Sequence, residues 1–404
     1  MKISLNGNEF TAYDTPCADV CVFETEQDSV RVSIDDKYKV TSVRPLGLNV
    51  SACNQFTVGT GKKAIVEFEN HKPLFIFTYT KETVDKDDYT YYFEKGVHNV
   101  PDIVLNSGES IYLESGCVLK THIFADDAEN IRICGRGIID TTEIGAKKHR
   151  MIKLIECNNL SVCDVTLIGA IDWSLVPIHC ENVTVNSVNI VTWEVNGDGV
   201  DIVGCKNVSV KNCFMHCADD CVAIKANDYD DDRGCNNCDN ITIEKCIFWN
   251  TRPGNAMEIG FETRCDEISN VAFCDCDVIH CEYEGYESGG VFTIHNGDRA
   301  LIHNVKYENI RVENAKQKLF DFKVLLSRYS KDNERGLIRD IVAENIRVYG
   351  DDLPPSILRG TDNSHGVKNV CINGLYHNDI AKNSLLAAHI ITESGSEVVF
   401  ASID

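Results

Sequence analysis

From about residue 128 onward a short phrase recurs, and this recurrence limits the possible folds more than any single motif does. The phrase is an Asn, a run of alternating apolar residues, a small polar break and a second alternating run. It reads NIRICGRGIID from Asn130, NLSVCDVTLIG from Asn159, NVTVNSVNIVT from Asn182, NVSVKNCFMHC from Asn207 and NITIEKCIFWN from Asn240. It continues as NVAFCDCDVIH from Asn270, NVKYENIRVEN from Asn304 and NVCINGLYHND from Asn369, with DIVAENIRVYG from Asp340 as a weaker copy. Consecutive starts in that series are 23 to 36 residues apart. One supersecondary unit with loops of variable length is therefore stacked on copies of itself.

Each phrase is β-branched and alternates with period two, while helical periodicity and helix caps are almost absent. Strands of about four or five residues, two or three per repeat, with Gly, Asn and Asp at the corners, describe a parallel β-helix. Its inward face is a stack of Val, Ile, Leu and Cys, and the recurrent Asn is expected to satisfy backbone groups of the turns. A propeller needs a longer repeat, and a leucine-rich repeat needs Leu at fixed offsets. Residues 1–95 lack the phrase but hold the β-rich runs SVRVSI, KYKVTSVRPL, KAIVEFEN and PLFIFTYT. They read as a small β-sandwich. The segment YYFEKGVHNVPDIVLNSGESIYLESGCVL then reads as a first coil that caps the solenoid. The expected layout is an all-β chain: a sandwich over 1–95 and a parallel β-helix over 96–404.

Composition narrows the partners. A formal net charge of −23, with no local basic patch, repels phosphate backbones, so nucleic acid is not an expected partner. No run approaches the roughly 20 apolar residues of a membrane-spanning helix. The opening MKISLNGNEFTAYDTPCADV has no apolar core followed by a cleavage site, so a cytoplasmic address is expected. There the 20 cysteines stay thiols, most of them as small buried apolar residues. Cys235-Asn-Asn-Cys238 is the only close pair with zinc-like spacing, and a second such pair is missing, so neither metal nor cofactor is expected.

Acidic residues concentrate in two adjacent repeats. One carries Asn196-Gly197-Asp198-Gly199-Val200-Asp201-Ile202, the next Ala218-Asp219-Asp220-Cys221-Val222-Ala223-Ile224-Lys225. Asp198 and Asp219 are 21 residues apart, close to one short coil, which puts them on neighbouring strands about 4.8 Å apart. Turn aspartates or a solvated acidic face would account for any one of them. Together they need protons or a cation to offset their repulsion. A glycosidase uses such a set, one carboxyl protonated beside the leaving oxygen and another ionised to activate water.

The order NGDGVDI, ADDCVAIK, RPGNAMEIGFE resembles the polygalacturonase family, glycoside hydrolase family 28, whose corresponding phrases are Asn-Thr-Asp, Gly-Asp-Asp and Gly-His-Gly on successive coils of a right-handed parallel β-helix. The preceding ENIRICGRGIID resembles that family's early coil, and the likeness covers roughly residues 95 to 375. A sandwich ahead of the solenoid is similar to the related dextranases, glycoside hydrolase family 49. The resemblance implies Asp219 as general acid, Asp198 and Asp220 as the residues that orient and deprotonate water, and single displacement with inversion. Asp219 and Asp220 are adjacent, so both reach one cleft only if the chain bends there. Asn196 and Lys225 flank the motifs and are expected to bind sugar hydroxyls or tune the acid; a corner Asn and a surface Lys are the plainer alternatives.

Two departures bear on substrate. Asn255 stands where the family has His, followed by Glu258 and Glu262, and Thr293-Ile294-His295 replaces the Arg-Ile-Lys phrase that grips galacturonate carboxylates. The cationic clamp is weakened, which favours a neutral or lightly charged oligo- or polysaccharide over pectate. Arg252 can restore one carboxylate contact. Trp173, Trp193 and Trp249, with Tyr283 and Tyr286, are candidates to stack on a sugar, Trp173 foremost. The Asp-rich loop 228–232 reads as solvated rather than as a Ca²⁺ site, because the EF-hand glycine and terminal Glu are out of register. It can also wall one end of the cleft, which would favour short oligosaccharides and exo action. A polysaccharide lyase and a noncatalytic glycan-binding β-helix are the alternatives to a hydrolase.

Overall fold

The computed structural model describes residues 1–144, 150–227, 233–282, 289–316 and 318–401. The Asp-rich stretch 228–232 and Tyr283 and Tyr286 lie outside the described residues. The described residues are organised as strands, with two short 3-10 turns and no α-helix, so no helix is long and apolar enough to cross a membrane. They fall into two compact units: Met1–His98 with Ile111–Leu119 and Gly135–Ile138, and the remainder from Asn99.

The first unit holds two sheets. One has four antiparallel strands in the order Asn8–Thr11, Lys2–Leu5, Ser29–Ile34, Gln55–Gly59. The other has five, with Asp19–Thr25 running parallel to Leu74–Thr80. Alternation drives their pairing: Val30, Val32 and Ile34 point inward from one sheet, Ala64, Val66 and Ile76 from the other, into one core. These residues form the sandwich expected ahead of the solenoid.

The second unit is the parallel solenoid. Each recurring phrase starts a coil, and register brings like onto like: Leu160, Val183, Val208, Ile241, Val271, Val305, Ile341 and Val370 stack one per coil. A separate sheet of eleven strands runs from Ile103–Val104 to Ile390–Glu393. Its middle members, Val200–Val203, Val222–Ala226, Met257–Thr263, Gly290–Asn296 and Lys318–Val324, are consecutive neighbours. They carry the residues considered below.

The recurrent Asn does something other than cap turns. Asn159, Asn182, Asn207, Asn240, Asn270 and Asn304 all have φ between 53° and 58°, the left-handed region that Asn tolerates better than other side chains. Their amides bond from coil to coil, Asn240 Nδ2 to Asn207 Oδ1 at 2.8 Å and Asn207 Nδ2 to Asn182 Oδ1 at 3.2 Å. Asp340, in the weaker copy, takes φ 57° and accepts from Asn369 Nδ2 at 2.6 Å. All 20 cysteines are free, fourteen of them buried. Cys238 of the Cys-x-x-Cys pair donates to the Lys225 carbonyl at 3.2 Å.

Candidate active site

The alternation that builds the eleven-stranded sheet also builds the site. Val200, Ile202, Val222, Ile224, Met257, Ile259, Phe292 and Ile294 point into the solenoid and are fully buried. The intervening residues face outward, and register aligns Asp201, Ala223, Glu258, Thr293 and Asp321 in one row. Asp198, Asp219 and Asp220 occupy the turns that lead into the first two of these strands. The turn Ala218–Cys221 is no strand, so the chain bends and both adjacent aspartates reach the same point. Glycine permits the bend. Gly254 has φ 96°, and a Cβ there would stand 2.2 Å from the Asp219 carbonyl carbon and 2.6 Å from the Asp220 nitrogen.

Carboxylate oxygens of Asp198, Asp219 and Asp220 lie within 4.8 Å of one another. Two hydrogen bonds of about 2.8 Å through one water span that separation. Asp220 Oδ1 accepts from the backbone N and Nδ2 of Asn255 at 2.9 and 2.8 Å, while Asn255 Oδ1 accepts from Gly290 N at 2.9 Å. Asn255 is thus a buried clamp on Asp220. Asp219 Oδ2 accepts from Asn196 N at 3.3 Å, so the exposed Asn196 enters through its backbone. Asp198 Oδ2 accepts from Lys225 Nζ at 3.3 Å; its Oδ1 is buried without a hydrogen-bond partner among the described residues.

Burial sets the protonation of the cluster. It pushes Asp198 well above the usual carboxylate range, helped by the charge of Asp201 and opposed by Lys225. It does the same to Asp220, where Asp219 and Glu258 add repulsion. Asp219 is raised too, by burial against the pull of Lys225, and it alone of the three is partly exposed. Burial lifts Asp201 to about 6. Lys225 is the shared counter-ion, 2.8 Å from Asp201 Oδ1; burial opposes its charge, but Asp201, Asp198 and Glu262 outweigh that and hold it well above its ordinary value.

Trp173 covers this cation, its ring centroid 4.1 Å from Lys225 Nζ and 4.6 Å from the guanidinium of Arg150. Trp249 instead packs beside His280 and His216, at 4.2 and 5.2 Å. Arg252 is exposed in the turn before Asn255, and Glu262 is buried near Lys225. Glu258 and His295 lie together but sealed, each 0% exposed. His295 Nδ1 meets Glu258 Oε1 at 2.9 Å and Nε2 meets Asp321 Oδ2 at 3.2 Å. Burial works against the imidazolium, but the two carboxylates prevail and raise it to about 9. Asp201, Arg150, Phe261, Asp321 and Lys323 belong to this neighbourhood without having stood out in the sequence. The available signal was a charged residue at an outward position of an alternating strand, as in Val200-Asp201-Ile202 and Lys318-Leu319-Phe320-Asp321-Phe322-Lys323.

The sequence pattern of "Glycosyl hydrolases family 28" matches residues 135–374. A probable polygalacturonase of Arabidopsis thaliana is 25% identical over 203 residues, 48% of this chain and 41% of that protein. One of Vitis vinifera is 26% identical over 78 residues, 19% of this chain and 16% of that protein. The chain spans less than half the length of the curated relatives it matches. Among solved structures, a hyperthermoactive exopolygalacturonase from Thermotoga maritima superposes with TM-score 0.56 at 16% identity, covering 76% of this chain and 80% of that one. Dex49A from Penicillium minioluteum superposes with TM-score 0.53 at 13% identity, covering 88% and 77%. Both likenesses are of fold.

Proposed function

The chain belongs to glycosyl hydrolases family 28, and from that premise we propose that it hydrolyses an α-linked glycosidic bond of a neutral or lightly charged oligo- or polysaccharide, with inversion at the anomeric carbon. The observation that carries the reading is the gathering of Asp198, Asp219 and Asp220 oxygens within 4.8 Å beside the buried ammonium of Lys225. Three carboxylates so close titrate as one group and retain protons toward neutral pH. Asp219, the accessible member, passes a proton to the leaving oxygen. Asp198 and Asp220 hold the attacking water, with Asn255 and Lys225 fixing their orientation. Trp173 offers an aromatic face beside Lys225.

A net charge of −23 and a cation already committed to Asp198 and Asp201 favour the uncharged substrate class. Twenty free cysteines favour a reducing, cytoplasmic address. One observation favours a second reading. The carboxylates are closer than the ~6.5–9.5 Å usual for inverting pairs and nearer the ~5–5.5 Å of retaining ones. The anomer first released, read by NMR before mutarotation, separates the two.

The deciding experiment is reducing-end release from neutral α-glucans, galactosides and rhamnosides beside oligogalacturonate, wild type against Asp219→Asn. Cleavage of a neutral glycan with a loss of roughly 10²-fold or more in the variant is expected. Preference for oligogalacturonate would remove the substrate assignment and leave the chemistry. An ultraviolet-absorbing unsaturated product would mean a lyase. Binding that survives Asp219→Asn with no turnover by either protein would mean a noncatalytic module.

A further inference from the structure

Beyond the carboxylates the outer face of the sheet changes character. The strand Met257–Thr263 pairs in register with Val222–Ala226 as far as Ile224 and Ile259, and then shifts so that Ala226 meets Thr263. Lys225 alone on one strand thus stands opposite Gly260, Phe261 and Glu262 on the other. Gly260 has φ 130°, and a Cβ there would stand 2.1 Å from the His295 carbonyl oxygen. Such a bulge re-aims side chains. Here it lays Phe261 flat on the His295 imidazole, ring centroids 4.3 Å apart and planes 8° apart. The ring of Tyr329 leans against Phe261 at 5.5 Å.

The charged groups beneath Phe261, three cations and two carboxylates, are all partnered with one another. Both nitrogens of His295 go to Glu258 and Asp321, and Lys318 and Lys323 both lie against Asp321, at 3.2 and 2.8 Å. All five are buried, whereas Phe261 is partly exposed. The side chain that this part of the sheet presents is therefore an aromatic ring over a buried ionic layer whose members contact one another. Glu258 also repels negative charge on Asp219 and Asp220, which ties the layer to the reacting carboxylates.

We propose that Phe261 is a specificity-determining residue: its ring floors the sugar subsite beside the carboxylates and selects there a neutral pyranose over a uronate. The inference rests on the hydrolase reading above. The C–H face of a neutral sugar stacks on such a ring, while a carboxylate pressed against it loses water and gains no partner. Arg328 is an exposed cation next to this arrangement, stacked on Tyr329 at 4.7 Å.

The test uses two oligosaccharide series of the same linkage, galactose and galacturonate, with the full chain as wild type, Phe261→Ala, Phe261→Tyr and Phe261→Lys. The neutral series is preferred by wild type. Phe261→Ala raises KM for it about tenfold with kcat changed less than about threefold, Phe261→Tyr restores KM, and Phe261→Lys moves the preference at least about tenfold toward the uronate. An unchanged KM in Phe261→Ala overturns the proposal, as does a wild-type uronate preference that disappears in Arg328→Ala. If wild type cleaves neither series, the hydrolase reading is decided separately by the wider glycan panel above, and titration of both series into Asp219→Asn with and without Phe261→Ala applies the same criteria to Kd. Binding of neither series overturns the proposal for Phe261.

Discussion

Lys225 is the residue on which the carboxylate cluster depends. Asp198, Asp201 and Asp220 are buried around its ammonium and Asp219 is partly exposed beside them, and removing a partner from a buried ion network leaves uncompensated charge. Lys225→Met keeps the stem that packs under Trp173 and deletes only the charge. The carboxylates then hold their protons more tightly, so the ascending acid limb of kcat/KM, where the water-activating carboxylate ionises, moves to higher pH by about one unit or more. Activity at neutral pH falls about tenfold or further. A full pH profile of both proteins checks this, and an unmoved limb would reduce Lys225 to a packing residue.

Coils and turns carry the next level of control, and Gly254 shows how. Its strained φ of 96° and the approach of Asp219 backbone to within 2.2 Å of where a Cβ would sit leave no room for alanine without moving the acid. Gly234 has a comparable φ of 85° and nothing within 4 Å, so it isolates the backbone term. Gly234→Ala should cost about 1 kcal/mol and leave kcat intact. Gly254→Ala should lower the melting temperature further and kcat by about tenfold or more, as melting curves and initial rates on one substrate would report. The same scale explains what could be read in advance. Period-two runs and a recurring Asn announced the coils, because each coil must present the same inward face as its neighbours. Asp198, Asp219 and Asp220 were legible because two motifs fall one coil apart. The partners of those residues were not. Asn255 clamps Asp220 across 35 positions, and Phe261 reaches His295 only through a bulge that alternation does not encode. Glu258 and His295 read as substrate contacts from their place in the order of motifs, yet each is sealed beneath the surface, because opposite charges on adjacent strands satisfy one another first.

At the scale of the molecule, the buried charges make stability depend on pH in a direction opposite to that of most acid-sensitive proteins. His295 is raised to about 9 in the folded chain against about 6.5 unfolded, so its contribution is complete below about pH 6.5 and disappears as pH rises through 9. Asp201 is raised to about 6, and Asp198, Asp219 and Asp220 are raised as well; each favours the fold while protonated and loses that contribution as pH rises through its folded value. Asp321 is lowered and acts in the other sense, weakening the fold on acidification, as do His216, which burial lowers to about 4, and His179, lowered by burial too. Lowered acids such as Asp14 and Glu114 sit at the surface and count for little. The net charge of −23, which grows as His and Lys lose protons, adds repulsion in the same direction as the buried groups. The melting temperature is therefore expected to be higher near pH 5.5 than near pH 8.5. His295→Gln should melt lower than wild type at pH 6 and flatten the fall between about pH 6.5 and 9, while the slope below pH 6, set by the aspartates and His216 together, persists. A melting temperature that rises steadily from pH 5.5 to 9 would mean that the paired layer of Glu258, His295 and Asp321 is not charged as its geometry requires.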